Sequence, residues 1–102
     1  MISEQREESA DSINLKVINN EDYMVNLCDS ELIGTKVNGI TVSEHFYGLP
    51  SNRKQAIIEL NKATSINALG VKAVSLVKEA KGEVEDLEIN GTPYTIIVKV
   101  FK

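Results

Sequence analysis

The sequence predicts an α+β domain of two layers, in which two helices cover one face of a mostly antiparallel sheet. Segments near both ends of the chain alternate apolar and polar residues, which is the pattern of half-buried strands. Between them, apolar residues recur every three or four positions, as they do in helices that are segregated from the sheet in sequence. With 102 residues, the chain is long enough for one such domain and too short for two.

The first predicted elements are two strands, Ile13–Ile18 and Tyr23–Cys28. Apolar residues occupy every second position in both strands, and the Asn- and Asp-rich turn between them predicts an antiparallel hairpin. The next apolar segment, Lys36–Ser43, contains the dipeptide Asn38-Gly39. This pattern is compatible with a tight hairpin or with one strand broken by a bulge, and we favour the broken strand.

Two helices are predicted in the middle of the chain. The first spans Asn52–Ala63, where apolar residues recur at three- and four-residue spacing. The second is predicted from a cap at Thr64 or Ser65 to Gly82, and Gly70 interrupts its first turns. Its apolar stripe consists of Ile66, Leu69, Ala73, Val77 and Ala80.

The chain ends in a predicted hairpin. Its strands are Val84–Ile89 and Tyr94–Phe101, joined by the Asn90-Gly91 turn that two-residue hairpins prefer. The last strand is apolar enough to be central in the sheet. The predicted core consists of Leu15, Val17, Val25, Leu27, Ile57, Leu60, Ile66, Leu69, Val77, Ile96 and Val98.

Composition limits the classes of function. Because the chain has one cysteine, Cys28, and one histidine, His45, an internal disulfide is excluded, and neither a metal site nor a cofactor is expected. No apolar stretch has the length of a membrane span or the pattern of a secretory signal, so a cytoplasmic protein without membrane contact is expected. The polar, acidic residues 1–11 are predicted to form a disordered tail before a single domain over 12–102.

Charge is distributed unevenly along the sequence. The net charge is -4, yet residues 51–81 hold six basic and two acidic residues and carry +4, which leaves -8 on the remainder. A net-acidic domain is not expected to bind DNA, but a basic helical layer can contact RNA phosphates. The candidate contacts are Arg53, Lys54, Lys62 and Lys72. The alternative is that they are only solvent-facing helix residues.

Two further features are candidates for function. The adjacent aromatic residues Phe46 and Tyr47 could stack on unpaired RNA bases or contact a partner, although at least one of them is expected to pack in the core. If this segment is a strand, the two rings point in opposite directions and one is partly exposed. Cys28 and Asp29 could serve a small thiol-dependent enzyme or a ligand site. Against this, a thiol nucleophile needs a general base, and a lone cysteine is more often a buried apolar residue.

Four short segments together resemble one protein family. They are Cys28–Gly34 (CDSELIG), Val42–Gly48 (VSEHFYG), Ala63–Gly70 (ATSINALG) and Ile89–Tyr94 (INGTPY). Over about Ile13 to Val100, the chain resembles the archaeal domain-of-unknown-function family 424, whose patterns it matches in the first three segments. In the fourth segment, Tyr94 stands where the family has histidine, which counts against a mechanism that requires an imidazole there.

The resemblance implies a place near the ribosome, because members of this family tend to be encoded among translation genes. Combined with the basic helical layer, it predicts a non-enzymatic, translation-associated binding module that contacts the ribosome, ribosomal RNA or a translation factor. The alternatives are a small thiol-dependent enzyme or ligand-binding domain, and a purely protein-binding adaptor whose acidic tail or exposed sheet edge makes the contact.

Overall fold

The computed structural model describes residues 12–98. The tail predicted at residues 1–11 and the end of the predicted last strand, from residue 99, lie outside the described residues. The described chain contains eight strands, three α-helices and a 3-10 turn at Ser30–Leu32. In chain order the strands and helices are β1 (Ile13–Asn19), β2 (Tyr23–Asp29), β3 (Lys36–Val37), β4 (Ile40–Thr41), α1 (Glu44–Tyr47), β5 (Leu49–Ser51), α2 (Arg53–Lys62), β6 (Ser65–Leu69), α3 (Val71–Lys81), β7 (Leu87–Ile89) and β8 (Thr92–Ile97).

Six strands form one sheet in the order β5-β1-β2-β6-β8-β7. Within the described residues, β2 and β6 are the parallel pair of this sheet, and its other neighbouring strands are antiparallel. The strands β3 and β4 form a separate two-stranded hairpin. The predicted α+β class and the mainly antiparallel character of the sheet are therefore confirmed.

The longer helices α2 and α3 pack against alternate side chains of the central strands. Val25 and Leu27 of β2 are buried there with Ile66 and Ala68 of β6 and with Leu60 of α2. Full burial of one large aliphatic side chain contributes about 1.5–3 kcal/mol, so this first core cluster is the main source of stability. Its other members are Ile13, Ala56, Ala63, Ala73, Val74, Leu76 and Val77.

The remaining positions of the same strands face the opposite way and support a smaller cluster. Cys28 of β2 and Leu69 of β6 are buried there with Val42, which follows β4. Tyr47 of α1 and Tyr94 of β8 pack against this second core cluster and are partly buried. The β3–β4 hairpin and α1 therefore cover part of the sheet face that α2 and α3 leave open.

The segment after α2 is a strand rather than the start of the second helix. Sequence spacing predicted a helix from a cap at Thr64 or Ser65 to Gly82, whereas Ser65–Leu69 forms β6 and α3 begins at Val71. The prediction was wrong because β6 is largely buried on both faces and so lacks the alternation of a half-buried strand. Gly70, with a φ of +110°, marks the boundary between strand and helix.

The segment Lys36–Ser43 is a tight hairpin, and the broken strand that we favoured is wrong. Asn38 and Gly39 have φ angles of +54° and +80°, as required by the two central residues of a type I′ turn. The aromatic segment that follows is helical rather than extended. There Ser43 acts as N-cap, and its hydroxyl accepts the N–H of Phe46 at 3.4 Å.

The predicted core is only partly correct. Leu15 and Ile57 are partly buried against the first core cluster. Val17, Ile96 and Val98 are 36%, 50% and 68% exposed, contrary to prediction. The strand β8 has a neighbour on each side, but Ile96 on one of its faces remains half exposed. The predicted core residues that are buried are Val25, Leu27, Leu60, Ile66, Leu69 and Val77.

Gly48 brings the end of α1 directly against β1. A Cβ atom at Gly48 would lie 2.1 Å from the carbonyl oxygen of Leu15, and its φ is +80°. Gly82 ends α3 with a similar backbone conformation, but a Cβ atom there would meet nothing.

We expect Gly82→Ala to lower the free energy of unfolding by about 1–3 kcal/mol through backbone strain. Gly48→Ala should cost about 1–3 kcal/mol more through steric overlap. Urea denaturation measures both losses, and equal losses would contradict the close packing of α1 on β1.

Candidate functional site

An open groove lies on the sheet face opposite α2 and α3. The β3–β4 hairpin and α1 form one wall, and β6, β8 and β7 form the other. The groove has a volume of about 540 Å³, and none of the described residues that line it is charged. Concave, mostly apolar sites of this size are typical of ligand or peptide binding. We call it the aromatic groove; its lining includes Ile40, Phe46, Asn67, Ile89, Tyr94 and Ile96.

A row of side-chain amides lies on the same face of the sheet, next to this groove. Asn14, Asn26 and Asn67 lie on adjacent strands β1, β2 and β6, all on the groove face. The Asn67 amide donates to Oδ1 of Asn26 at 3.1 Å, and the Ser30 hydroxyl donates to Oδ1 of Asn14 at 2.7 Å. Asn14 and Asn26 are only 1% exposed, so each of these hydrogen bonds offsets the cost of burying an amide.

The amide row also holds α1 in place. A helix of one turn leaves most of its carbonyl oxygens without a partner inside the helix. Three side chains from the sheet donate to these oxygens and to that of the capping glycine. The bonds join Asn14 to Gly48 (2.6 Å), Lys16 to His45 (2.7 Å) and Asn26 to Phe46 (3.1 Å). The position of the groove wall therefore depends on polar residues of β1 and β2.

The two predicted aromatic residues have different environments. Phe46 lines the groove and is 46% exposed, whereas Tyr47 is half-buried against the second core cluster. Their rings meet edge to face, with centroids 4.7 Å apart. Burial raises the pKa of Tyr47, and the nearby Cys28 adds to the shift. Phe46 is thus the member of the pair that is accessible to a partner.

Cys28 is buried beneath the groove with no exposed surface. Burial raises the pKa of its thiol to about 12, and the carboxylates of Asp29 and Glu31 contribute to the shift. The thiol is therefore protonated at neutral pH, whereas nucleophilic cysteines need a lowered pKa. These properties match those of a small buried apolar residue.

Asp29 caps the start of α3 from a distance in sequence. Its carboxylate accepts the backbone N–H groups of Lys72 (3.1 Å) and Ala73 (2.8 Å). Gly70 makes this contact possible, because a Cβ atom there would lie 2.4 Å from Cγ of Asp29. Burial raises the pKa of Asp29, and the two backbone hydrogen bonds oppose that shift. The carboxylate thus has a structural function.

The four basic residues predicted to contact RNA lie on the helix side of the sheet. Arg53 and Lys72 line one small cleft of about 190 Å³, and Lys54 and Lys62 lie outside it. Among residues 12–98, Lys54 forms no ion pair. The ion pairs of the other three join Arg53 to Glu79, Lys62 to Glu59 (4.0 Å) and Lys72 to Glu31 (3.0 Å). The predicted site residues therefore belong to two surfaces, since Phe46 and Tyr47 lie on the opposite face.

Sequence reasoning missed the amide row. Asparagine is disfavoured inside strands, so Asn14 and Asn26 at regular strand positions carried a usable signal. The half-buried pattern predicted for the first two strands implies that these alternate positions face solvent, whereas both residues are buried. Asn67 could not be grouped with them because its strand was predicted as helix.

The structure also limits two other kinds of site. Within residues 12–98, no group of three or more His, Cys, Asp or Glu side chains is arranged to hold a metal ion. None of the helices in the same range has the length and apolar character that a membrane span requires.

Comparison with known proteins identifies the family. The sequence matches the family described as "Protein of unknown function (DUF424)" over residues 17–100. The chain belongs to the DUF424 family. This DUF424 chain is similar to a solved structure described as an uncharacterized conserved protein from Methanopyrus kandleri, with a TM-score of 0.70 and 27% sequence identity. The similarity covers 89% of this chain and 96% of that one. No curated protein matches the sequence.

Residues that carry the DUF424 resemblance meet around the aromatic groove. Phe46, Asn67 and Tyr94 line it. Gly48 lies against β1 and Gly70 lies against Asp29, so both glycines set the close packing behind the groove. The segments that carry the resemblance therefore include residues of the groove and of its support.

Removing the Asp29 carboxylate should destabilise the start of α3. We expect Asp29→Ala to lower the free energy of unfolding by about 1 kcal/mol, as loss of a cap does. Burial raises the folded pKa of Asp29 above its ordinary value of 3.8, so the charged form has a desolvation cost that the protonated form does not have. The contribution of Asp29 to the free energy of unfolding is therefore fully present below pH 3.8 and decreases as pH rises through the folded pKa. The loss should therefore be larger below pH 3.8 than at pH 7.

Urea denaturation at both pH values measures the loss. Glu83→Ala, which removes an exposed acid beyond the end of α3, is the control and should change stability by less than about 0.5 kcal/mol. Equal losses in the two variants would contradict the capping function.

The thiol of Cys28 should react slowly. With a pKa raised from 9.0 to about 12, its thiolate fraction at pH 8 falls by about three orders of magnitude. We expect a disulfide reagent such as DTNB to modify the folded protein at least about 100-fold more slowly than the urea-unfolded protein, because burial also limits access. Equal rates would show that the thiol is accessible and reopen a catalytic function.

Proposed function

We propose that this DUF424 chain is a non-enzymatic binding module of the translation apparatus that contacts ribosomal RNA through a basic layer on α2 and α3. The proposal is supported by the packing of α2 beside α3, which combines the basic residues of two helices on one side of the domain. The association with translation comes from the family resemblance. The basic layer consists of Arg53, Lys54, Lys62, Lys72, Lys78 and Lys81.

Acidic neighbours reduce the charge of this layer without closing it to phosphate. The side chains of the Arg53–Glu79 pair are 56% and 47% exposed. Exposed ion pairs contribute only about 0–1 kcal/mol each, so exchanging a carboxylate for an RNA phosphate costs little. Lys54 is exposed and requires no such exchange within the described chain. We therefore expect few phosphate contacts, with Lys54 among them.

The environment of Cys28 favours this proposal over the thiol-enzyme alternative. The thiol is buried and its pKa is raised to about 12, and the adjacent carboxylate of Asp29 caps α3. A nucleophile would need the opposite conditions, namely access to substrate and a stabilised thiolate.

A charge reversal at Lys54 tests the proposal. Lys54→Glu should weaken co-sedimentation with ribosomes, because it removes a phosphate contact and adds repulsion. The slope of log affinity against log salt, expected at about -1 to -4 for two to four contacts, should become shallower by about 1. Circular dichroism checks folding, which should be retained because the residue is exposed.

The matched control is Lys36→Glu. It makes the same charge change on the β3–β4 hairpin, which lies on the other side of the sheet. If both variants lose the same fraction of co-sedimentation, net charge rather than the basic layer controls the association. If neither differs from the natural chain, the basic layer does not contact RNA.

A further inference from the structure

The sheet has two edges, and they differ in their ability to accept another strand. The edge strand β5 contains Pro50, which lacks an N–H and blocks continuous pairing. The opposite edge strand, β7, contains no proline, and within the described chain it pairs with β8 alone. An unpaired, proline-free edge is the site at which peptides add to sheets.

The register of the β7–β8 hairpin fixes which backbone groups are free. Asn90 and Gly91 have φ angles of +51° and +83°, so they form a two-residue type I′ turn. Ile89 and Thr92, which flank this turn, form the hydrogen-bonded pair, and the next pair, Glu88 and Pro93, is not hydrogen-bonded.

Two observations support this assignment. Pro93 has no N–H to donate, and it occupies the non-hydrogen-bonded position opposite Glu88, where β7 needs no donor from β8. The Pro93 carbonyl accepts the N–H of Gly70 at 2.7 Å, so it points away from β7. The N–H and C=O of Glu88 therefore point outward at the free edge.

This edge is acidic. Glu83, Glu85, Asp86 and Glu88 are all exposed, and residues 82–90 contain no lysine or arginine. The described ion pair of this segment joins Asp86 to Lys78 of α3. The edge therefore offers several carboxylates to a positively charged partner.

The acidic edge adjoins the aromatic groove. Ile89 of β7 lines the groove, and the side chain of Glu88 points to the other face because neighbouring strand residues alternate. A strand added beside β7 would place every second side chain next to Ile89 and the others next to Glu88. Apolar residues suit the first set and basic residues suit the second.

We propose that β7 and the aromatic groove bind an extended segment of a partner protein in which lysine or arginine alternates with apolar residues. The segment pairs with the backbone of Glu88, its apolar side chains extend over the groove, and its basic side chains face the carboxylates of the edge. The aromatic groove lies on the opposite side of the sheet from the basic layer, whereas the acidic edge adjoins that layer through the Asp86–Lys78 ion pair. The peptide site does not depend on the proposed RNA contact.

A synthetic peptide tests the proposal on the full chain. The probe is a fluorescent Lys-Val-Lys-Val-Lys-Val-Lys peptide, with Glu-Val-Glu-Val-Glu-Val-Glu as the charge-reversed control, and binding is measured by fluorescence anisotropy. The lysine peptide should bind at least about tenfold more tightly than the glutamate peptide, and added salt should reduce the difference. Comparable affinity for both peptides, or no binding of the lysine peptide, would overturn the proposal.

Matched variants locate the contact. Glu88→Lys should weaken binding at least about tenfold, because it reverses a charge beside the added strand. Glu21→Lys makes the same change in the β1–β2 turn and should weaken it less than about twofold. If both variants weakened binding equally, net charge alone would control the affinity, which would contradict a site at β7.

Hydrogen exchange distinguishes strand addition from surface attraction. The Glu88 amide should exchange more slowly in the natural chain once the lysine peptide is bound, because it becomes hydrogen-bonded. Binding without protection of this amide would overturn strand pairing. Direct binding of a fluorescent uridine oligonucleotide to the chain, lost in Phe46→Ala but retained in Lys54→Glu, would assign the groove to RNA instead.

Discussion

The hydrogen bonds of Asp29 with the first turn of α3 connect the end of β2 to the segment that contains β6 and α3. Asp29 is the last residue of β2, and the N–H groups that it binds belong to Lys72 and Ala73. Because only Gly70 separates β6 from α3, an anchor on α3 also holds β6 alongside β2. Both core clusters contain residues of these two strands, so the packing on each face of the sheet depends on this junction.

The elements predicted correctly are those specified by local sequence. The β1–β2 hairpin, α2 and the Asn90-Gly91 turn each follow from apolar periodicity or turn chemistry within a short segment. The strand β6 was missed because its identity depends on neighbours far away in sequence, which bury both of its faces. Its residues Ile66 and Leu69 lie at helical spacing from the apolar residues of α3, so periodicity alone extended the helix.

The candidate site was predicted only in part, because most of it depends on residues that are far apart in sequence. Phe46 could be singled out because adjacent aromatic residues are unusual in a chain with 5% aromatic content. The groove beside it could not be, since its walls come from elements brought together only by the tertiary fold. Likewise, Asn26 has the composition of an exposed strand position, and only the placement of α1 over the sheet makes it a buried donor. The use of Asp29 as a cap depends on a residue pair 44 positions apart.

The parallel pairing of β2 with β6 has a consequence for how the chain folds. Asn26 and Asn67, which are partners in this pair, lie 41 residues apart, whereas β1 and β2 are joined by a short turn. Contacts between distant residues form later than local ones, because closing the intervening loop reduces chain entropy before any contact compensates for it. The pairing of β2 with β6 is therefore the step with the larger entropic cost. In any state in which β6 is detached from β2, one long side of β2 is unpaired, so an open edge lies at the centre of the sheet.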